Sequence, residues 1–175
     1  YVMPHWPKPW GRGAGAVEQL LVEEEFAAAG VKRPDYGITG WVILTLIQHG
    51  TPWQIERFVE TALRKDEIWC QLFSEPSAGS DAAAVKTRAT RVDGGWMITG
   101  QKVWTSGAHY CKRGLATVRT DFDVPKHAGI TMVILDMNAP GVEVRPLRQI
   151  TGGKEFNEVF FNDVFVPDED VVGEP

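Results

Sequence analysis

The spacing of hydrophobic residues divides the chain into a helical first part and a strand-rich second part. Val17, Leu20, Leu21 and Ala28 recur at three- and four-residue intervals, which predicts a helix, and Gly30 supplies its C-terminal cap position. A loop rich in Pro and Gly precedes this helix over residues 1–15. The chain therefore starts with an irregular segment and then becomes helical.

Two more helices are predicted before the pattern changes. Residues 38–48, ITGWVILTLIQ, are apolar on nearly every side, which is typical of a helix buried between others. The segment TPWQIERFVETALRKD begins with an N-cap at Thr51, and Gln54 completes a capping box. The apolar stripe of this third helix consists of Ile55, Phe58, Val59, Ala62 and Leu63.

After Asp66 the apolar residues follow the short runs that are typical of β-strands. These runs are rich in β-branched and aromatic residues: TRATRV, WMIT, LATVRT, GITMVILDM, VEVRPL and EVFFNDVFV. Residues 93–95, DGG, predict a hairpin turn. Helices first and strands second indicate an α+β fold and not alternating βαβ units. We predict a helical domain over residues 1–68 and a β domain over residues 69–175.

Composition narrows the class of protein. The chain has 175 residues, is 43% hydrophobic and carries a formal net charge of -5, which argues against nucleic acid as its main partner. The apolar run GWVILTLI has about half the length needed to span a bilayer. Two cysteines do not make a disulfide framework, and the histidines lack metal-site spacing. We expect a cytoplasmic protein without metal or membrane span, and the ends at Tyr1 and Pro175 suggest a piece of a longer polypeptide.

Two short segments carry the candidate chemistry. Residues 71–81, QLFSEPSAGSD, lose nearly all side-chain bulk after Pro76, which lets a ligand approach main-chain N–H groups, and Ser74 and Ser80 add hydroxyl donors. Residues 100–109, GQKVWTSGAH, offer an aromatic face and hydrogen-bond donors to a planar ring. Taken singly, each segment is explained more simply as a plain turn or as a strand with a core tryptophan.

Taken together, SEPSAGSD and GQKVWTSG closely resemble two motifs of the acyl-CoA dehydrogenase family. The family's loop reads Thr/Ser-Glu-Pro-Gly-Ala-Gly-Ser-Asp, and its second segment reads Gly-x-Lys-x-Trp-Ile-Thr-Asn/Ser-Gly. The closing strands of the family's middle domain resemble two further segments, PGVEVRPLRQITG and FNEVFFNDVFVPDEDVVG. The helix that leads into that domain resembles HGTPWQIERFVETALRKDEIWC. The resemblance implies the end of an N-terminal helical domain and an antiparallel β-barrel-like domain, without the C-terminal four-helix bundle.

The resemblance also implies a function: FAD-dependent α,β-desaturation of an acyl-CoA thioester, as in fatty acid β-oxidation. The catalytic carboxylate belongs to the family's C-terminal bundle, so no residue here is expected to be the base, and Glu75 is expected to be structural. Lys126 and His127 are offered for the CoA phosphate, although a solvated loop explains them equally well. The implied cofactor-binding residues are Gln71, Phe73, Ser74, Gly79, Ser80, Trp104, Thr105 and Ser106, and Ser80 is also implied near the substrate thioester.

Partners and alternatives follow from the same resemblance. It implies an acyl-CoA substrate, an electron-transfer flavoprotein or similar acceptor, and a homo- or hetero-tetramer; the isolated piece is expected to be inactive. Two alternatives stay open: a non-catalytic flavin-binding or assembly half of a heteromeric enzyme, and an acyl-CoA oxidase, which passes electrons to oxygen. Ser77 stands where the family usually has glycine, which a turn tolerates if φ stays negative. Gln71 stands where many members have an aromatic residue, and Thr105 replaces the common Ile; these changes favour a different acyl pocket over loss of flavin binding. Ser106 replaces the family's usual Thr as a hydrogen-bond donor.

Overall fold

Helices precede strands in the computed structural model, which describes residues 3–173. In this part of the chain the helices are α1 (Ala16–Ala28), α2 (Gly37–His49) and α3 (Pro52–Leu63). The strands are β1 (Trp69–Leu72), β2 (Arg88–Val92), β3 (Gly95–Ser106), β4 (Arg113–Arg119), β5 (Ile130–Asp136), β6 (Val142–Pro146), β7 (Phe156–Pro167) and β8 (Val171–Val172). Short 3-10 turns lie at Ala82–Ala84 and Asp168–Asp170. The predicted α+β order is confirmed.

The first residues of α3 determine where this helix begins. The Thr51 hydroxyl accepts a hydrogen bond from the Gln54 N–H at 3.2 Å, and the Gln54 side chain accepts one from the Thr51 N–H at 3.0 Å. The predicted capping box is therefore confirmed, and it satisfies two donors that a helix start leaves without partners. The stripe also faces inward: Phe58, Val59 and Ala62 are buried, and Ile55 and Leu63 are partly buried.

The other two helices bury less than their apolar composition suggests. α2 buries one face, with α3 and β1 as its main packing partners, and Trp41 on its outer side is 37% exposed. The expectation that α2 is buried between other helices is therefore wrong for that side. α1 ends before Gly30 as predicted, but it has no buried residue, and its apolar residues Val17, Leu20 and Leu21 are exposed.

The strands form one mixed sheet in the order β6-β7-β3-β2-β4-β5-β8, with β1 paired to β4. Most neighbours are antiparallel, whereas β1 and β2 run parallel to β4. The sheet path is open, since no pairing between β6 and β8 is found within residues 3–173. The mainly antiparallel β region is confirmed. The predicted hairpin is confirmed as well, because Val92 pairs with Gly95 and Gly94 turns the chain with a φ of 71°.

Helices α2 and α3 pack directly on the sheet. One buried cluster lies within the sheet, and a second joins Phe58 of α3 to Trp69, Leu115 and Ile134 of the sheet. The change from helices to strands falls between Leu63 and Trp69, but the core is continuous across it. A division into separate domains at residue 68 stays a prediction.

None of the described helices is both long enough and apolar enough to cross a bilayer.

Candidate functional site

The loop after β1 is closed by its own main chain. The Glu75 N–H donates to the Ala78 carbonyl at 2.8 Å, and the Ala78 N–H donates to the Glu75 carbonyl at 3.1 Å. Pro76 and Ser77 occupy the turn between them, and Ser77 is not among the described residues with positive φ. The substitution of the family's glycine by Ser77 is therefore accommodated without backbone strain.

The same loop leaves several donors free. Within residues 3–173 the N–H groups of Ser74, Gly79 and Ser80 have no hydrogen-bond partner in the protein. A Cβ atom added to Gly79 would meet nothing within 4 Å, so open space lies beside this main chain. Free N–H groups beside a bare backbone suit an electronegative ligand atom, such as a phosphate oxygen or the edge of a flavin. The residues present therefore fit a dinucleotide cofactor such as FAD.

Trp104 is presented by an irregularity in β3. The pairing with β7 shifts register between Lys102 and Thr105, which is the signature of a β-bulge. Trp104 has a φ of 60°, is 62% exposed and packs edge-on against Phe156, with ring centroids 6.2 Å apart. Such a conformation costs of order 1–3 kcal/mol in a non-glycine residue, and residues held in this way cluster at ligand sites. The bulge turns a large aromatic face outward where the strand would otherwise bury it.

The residues after Trp104 point in different directions. Thr105 is buried, and its carbonyl accepts a hydrogen bond from the buried amide of Asn157 at 2.9 Å. Ser106 pairs with Phe156 and, together with α2 residues and Trp69, lines a cavity of about 400 Å³. The Ser106 hydroxyl therefore faces free space, whereas Thr105 contributes its main chain to the structure.

A buried ion pair joins the two candidate segments. Lys102 Nζ lies 2.8 Å from Glu75 Oε1, with side-chain exposures of 0% and 4%. Lys102 also donates to the Phe73 carbonyl at 3.1 Å, and the Val103 N–H donates to the Ser74 carbonyl at 2.9 Å. The segments around Ser74 and around Trp104 thus lie edge to edge, although no hydrogen bond or ring contact joins Ser80 to Trp104 among the described residues.

The surroundings lower the pKa of both members of this pair. Burial raises the pKa of Glu75, but the hydrogen bond and charge of Lys102 and the N–H groups of Lys86 and Thr87 outweigh it, so the pKa lies below its ordinary value. Burial lowers the pKa of Lys102, and Glu75 partly restores it. Both carboxylate oxygens of Glu75 are thus engaged by hydrogen bonds within the protein, and its purely structural role stays a prediction.

Sequence reasoning missed the role of Lys102. A signal was present, since the two-residue period of β3 puts Lys102 on the same side as buried Ile98. A lysine on an inward face must find an acceptor, because an unpaired buried charge is very costly.

The other predicted residues lie next to the loop after β1, either in the chain or in space. Gln71 is half-buried in β1 opposite Leu115, and Phe73 packs edge-on against Trp41, with ring centroids 6.1 Å apart. Lys126 forms an ion pair of 2.6 Å with Asp81, the residue after Ser80. His127 follows in the same exposed segment.

The positions of Lys126 and His127 place positive charge at the end of the loop, but Asp81 already engages Lys126. Hydrogen bonding to Lys126, more than its charge, lowers the pKa of Asp81, and His127 lowers it further. A substrate phosphate would therefore have to share Lys126 with Asp81 or displace the Asp81 carboxylate from it. A larger hollow of about 640 Å³ lies between the N-terminal loop and α2, and none of the predicted site residues lines it.

A family model describing the middle domain of acyl-CoA dehydrogenases matches residues 70–164, which contain both candidate segments. The chain belongs to the acyl-CoA dehydrogenase family. The sequence of an acyl-CoA dehydrogenase from Mycobacterium tuberculosis named FadE34 is 60% identical over 170 residues, covering 97% of this chain and 24% of that protein. The acyl-CoA dehydrogenase IpdE1 of Mycolicibacterium smegmatis is 41% identical over 184 residues, covering 97% of this chain and 46% of that protein.

Solved acyl-CoA dehydrogenase structures share the fold. A structure described as the Tcur3481-Tcur3483 steroid ACAD superposes with a TM-score of 0.85 at 32% identity, covering 99% of this chain and 45% of that one. The ChsE4-ChsE5 complex from Mycobacterium tuberculosis gives a TM-score of 0.83 at 33% identity, with the same coverage of 99% and 45%. The chain thus spans less than half the length of these acyl-CoA dehydrogenases, and no helical bundle follows the strands within residues 3–173.

Proposed function

We propose that the complete protein that contains this chain is an FAD-dependent acyl-CoA dehydrogenase, which introduces a double bond between Cα and Cβ of an acyl-CoA thioester. One observation carries the proposal: two family motifs that are separate in sequence are hydrogen-bonded edge to edge. The bonds are those from Val103 N–H to the Ser74 carbonyl and from Lys102 to Phe73 and Glu75. The free donors of the first motif and the exposed ring of Trp104 therefore belong to adjacent segments.

The residues of this chain divide the task of holding the cofactor. The free N–H and hydroxyl of Ser74, at the end of the Gln71–Phe73 stretch, donate to the pyrimidine edge of the flavin. Gly79 and Ser80 bind the pyrophosphate through their unpaired N–H groups. Trp104 covers the ring, held outward by the bulge, while Thr105 fixes the main chain and Ser106 donates from the cavity wall. Donors fixed in advance stabilise developing charge without reorganisation.

The bonds that change in the proposed reaction are the α and β C–H bonds of the substrate. In the reaction the α carbon loses a proton to a base, the β carbon loses a hydride, which FAD accepts when bound, and the two electrons left in the α C–H bond form the double bond. Ser80 lies at the thioester end, and Lys126 and His127 meet the CoA phosphate. The base is not assigned to any residue of this chain, since Glu75 is held in its ion pair.

The solved relatives suggest the acyl group and the assembly. One of them is described as a steroid ACAD, so we propose a bulky polycyclic acyl-CoA as the preferred substrate. That structure and the ChsE4-ChsE5 complex are named as two-component assemblies, and we propose that the complete protein likewise associates with a second acyl-CoA dehydrogenase unit. An electron-transfer flavoprotein is the proposed acceptor.

The test is acyl-CoA-dependent reduction of an electron-transfer dye by the purified complete protein loaded with FAD. We expect reduction with at least one acyl-CoA in a panel running from short branched to steroid side-chain thioesters, and faster reduction with the polycyclic members. Peroxide release without dye reduction would identify an oxidase instead. A protein that carries FAD and is inert to every member of the panel would overturn the dehydrogenase proposal.

A further inference from the structure

Lys102 is bound in a way that only an ammonium group allows. Its Nζ atom donates to the Phe73 carbonyl at 3.1 Å, to Glu75 Oε1 at 2.8 Å and to the Thr117 carbonyl at 2.7 Å. Three acceptors around one nitrogen require three N–H donors, which a lysine has only when it is protonated. A full positive charge therefore lies 3.1 Å from the carbonyl oxygen of Phe73, inside the protein.

That carbonyl belongs to the peptide bond whose other end is the Ser74 N–H. In a planar trans peptide the C=O and the N–H point in opposite directions. Because the Phe73 carbonyl points inward to Lys102, the Ser74 N–H points away from it, and this N–H has no partner among residues 3–173. The next carbonyl along the chain, that of Ser74, is fixed by the Val103 N–H at 2.9 Å. The peptide between Phe73 and Ser74 thus has a cation on its acceptor end and a free donor on its other end.

We propose that Lys102 is a positioning residue that polarises the peptide between Phe73 and Ser74, so that the Ser74 N–H stabilises the negative charge that reduction places on the flavin ring. This inference rests on the proposed function for the identity of the ligand. Hydrogen bonds in a chain strengthen one another by about 10–30% per bond, and a hydrogen bond is electrostatically stronger in a site of low dielectric. A stronger donor favours the more negative form of the ring over the neutral form, and therefore raises its reduction potential.

Glu75 moderates this effect. Its carboxylate neutralises Lys102 and is itself held by the N–H groups of Lys86 at 2.6 Å and Thr87 at 2.9 Å. Removing the negative charge while keeping the ammonium leaves more field on the Phe73 carbonyl. The two partners of the ion pair therefore act on the flavin in opposite directions. A pair that served only to hold the fold would act in the same direction, because losing either partner loosens the same contacts.

The experiment measures the reduction potential of the flavin in the complete FAD-loaded protein, by equilibration with reference dyes at pH 6. Lys102→Met keeps an unbranched side chain only one atom shorter and removes the charge. We expect the equilibrium ratio of reduced to oxidised flavin to fall about tenfold, equivalent to about 30 mV for a two-electron couple. Glu75→Gln should raise that ratio. Lys86→Met is the matched control, since this lysine side chain lies at the surface, and it should leave the ratio unchanged.

Each outcome decides the inference. A lower ratio of reduced to oxidised flavin in Lys102→Met together with a higher ratio in Glu75→Gln supports the inference. Any other combination in the flavin-loaded variants, including an unchanged ratio in one of them, overturns it. If Lys102→Met fails to fold, Glu75→Gln alone decides: a raised ratio supports the inference and an unchanged or lowered ratio overturns it. If the parent protein holds FAD but oxidises no acyl-CoA, the proposed function is overturned. The flavin reduction potentials of the parent protein and the variants would still test the role of Lys102.

Discussion

Single residues at the candidate site divide into those that hold the backbone and those left free for a ligand. Lys102, Glu75 and Asn157 are almost completely buried. Lys102 and Glu75 bind main-chain groups and each other, whereas Asn157 binds main-chain carbonyls and the ring of His109. Ser80 and Trp104 are exposed. In the proposed site, ligand recognition would depend on main-chain N–H groups that buried side chains keep in place. A substitution that adds bulk beside the main chain should therefore affect binding more than stability.

Gly79→Ala tests that expectation. The new methyl group meets nothing within 4 Å in the protein and the residue has no positive φ, so stability should change by no more than about 0.5 kcal/mol. If the pyrophosphate approaches this backbone, the FAD dissociation constant of the complete protein should rise at least about tenfold, or 1.4 kcal/mol. Gly15→Ala, which also has open space around it, is the matched control. An unchanged FAD affinity in Gly79→Ala would contradict the proposed cofactor site.

Asp170 is a residue whose burial costs stability. Burial raises the pKa of its carboxyl to about 6, with Arg113 opposing, and Oδ1 has no hydrogen-bond partner. Because the folded pKa lies above that of the unfolded chain, near 3.9, the folded state binds more protons between about pH 4 and 6. Stability is therefore lost as the pH rises through this window, and the penalty is complete above it.

Asp170→Asn should remove that penalty. We expect a gain of about 1–2 kcal/mol at pH 7.5, less than the pKa shift alone converts to, because the carboxyl is partly solvated. The gain should vanish near pH 4, and urea unfolding at both pH values measures it. Glu169→Gln, on the exposed neighbour, should change little at either pH. Equal gains at pH 4 and pH 7.5 would show that the carboxyl charge is not the cause.

At the scale of elements, α3 connects the helical part to the first and last strands in chain order, β1 and β8. Its N-terminus is fixed by the capping box of Thr51 and Gln54. Gln54, fully buried, also donates to the carbonyls of Glu169 at 2.8 Å and Val171 at 2.7 Å, next to β8. One side chain thus starts a helix and anchors the last strand. The β3 bulge has a similar double effect, since it bends the strand and presents Trp104.

Thr51→Ala should weaken α3 without breaking the contact to β8. The loss of the cap should cost about 1 kcal/mol, because the Gln54 N–H loses its acceptor at the helix start. Thermal or urea unfolding measures the change. Thr45→Ala on α2 is the control, since its hydroxyl bonds only to the carbonyl of Trp41 in its own helix. A cost no greater than that of Thr45→Ala would show that the cap contributes nothing measurable.

At the scale of the whole molecule, the chain folds around two clusters, but it leaves apolar groups of its site uncovered. Trp104 and Tyr110 are each 62% exposed, and α1 has no buried residue in the described structure. The chain also covers less than half of the solved relatives. We therefore expect the ligand contacts proposed for this chain to be only a part of those in the complete protein.

The 175-residue chain by itself should bind FAD weakly. We expect a dissociation constant at least about a hundredfold higher than that of the complete protein, equivalent to about 2.7 kcal/mol of lost contacts. Flavin fluorescence titration of the two proteins, side by side, measures the difference. Tight, stoichiometric binding by the chain alone would contradict the view that much of the cofactor site lies elsewhere in the polypeptide.

Several features of this protein were determined by the sequence itself. Local patterns predict features that depend on residues close to each other in the chain. These are the capping box of α3, the hairpin at Gly94 and the succession of β-strands along the chain. The two family motifs likewise lie in short continuous stretches, which is why the sequence alone carries the resemblance to the family.

Only the tertiary structure decided how distant segments meet. It paired β1 in parallel with β4, left one side of α2 exposed and α1 without a fully buried residue, and placed Lys102 against the carbonyl of Phe73. These outcomes depend on which surfaces cover one another, and a hydrophobic pattern states only that a face can be buried. Lys102 shows the difference most clearly: its strand period pointed it inward, but the fold alone supplied the three acceptors that make a buried charge tolerable.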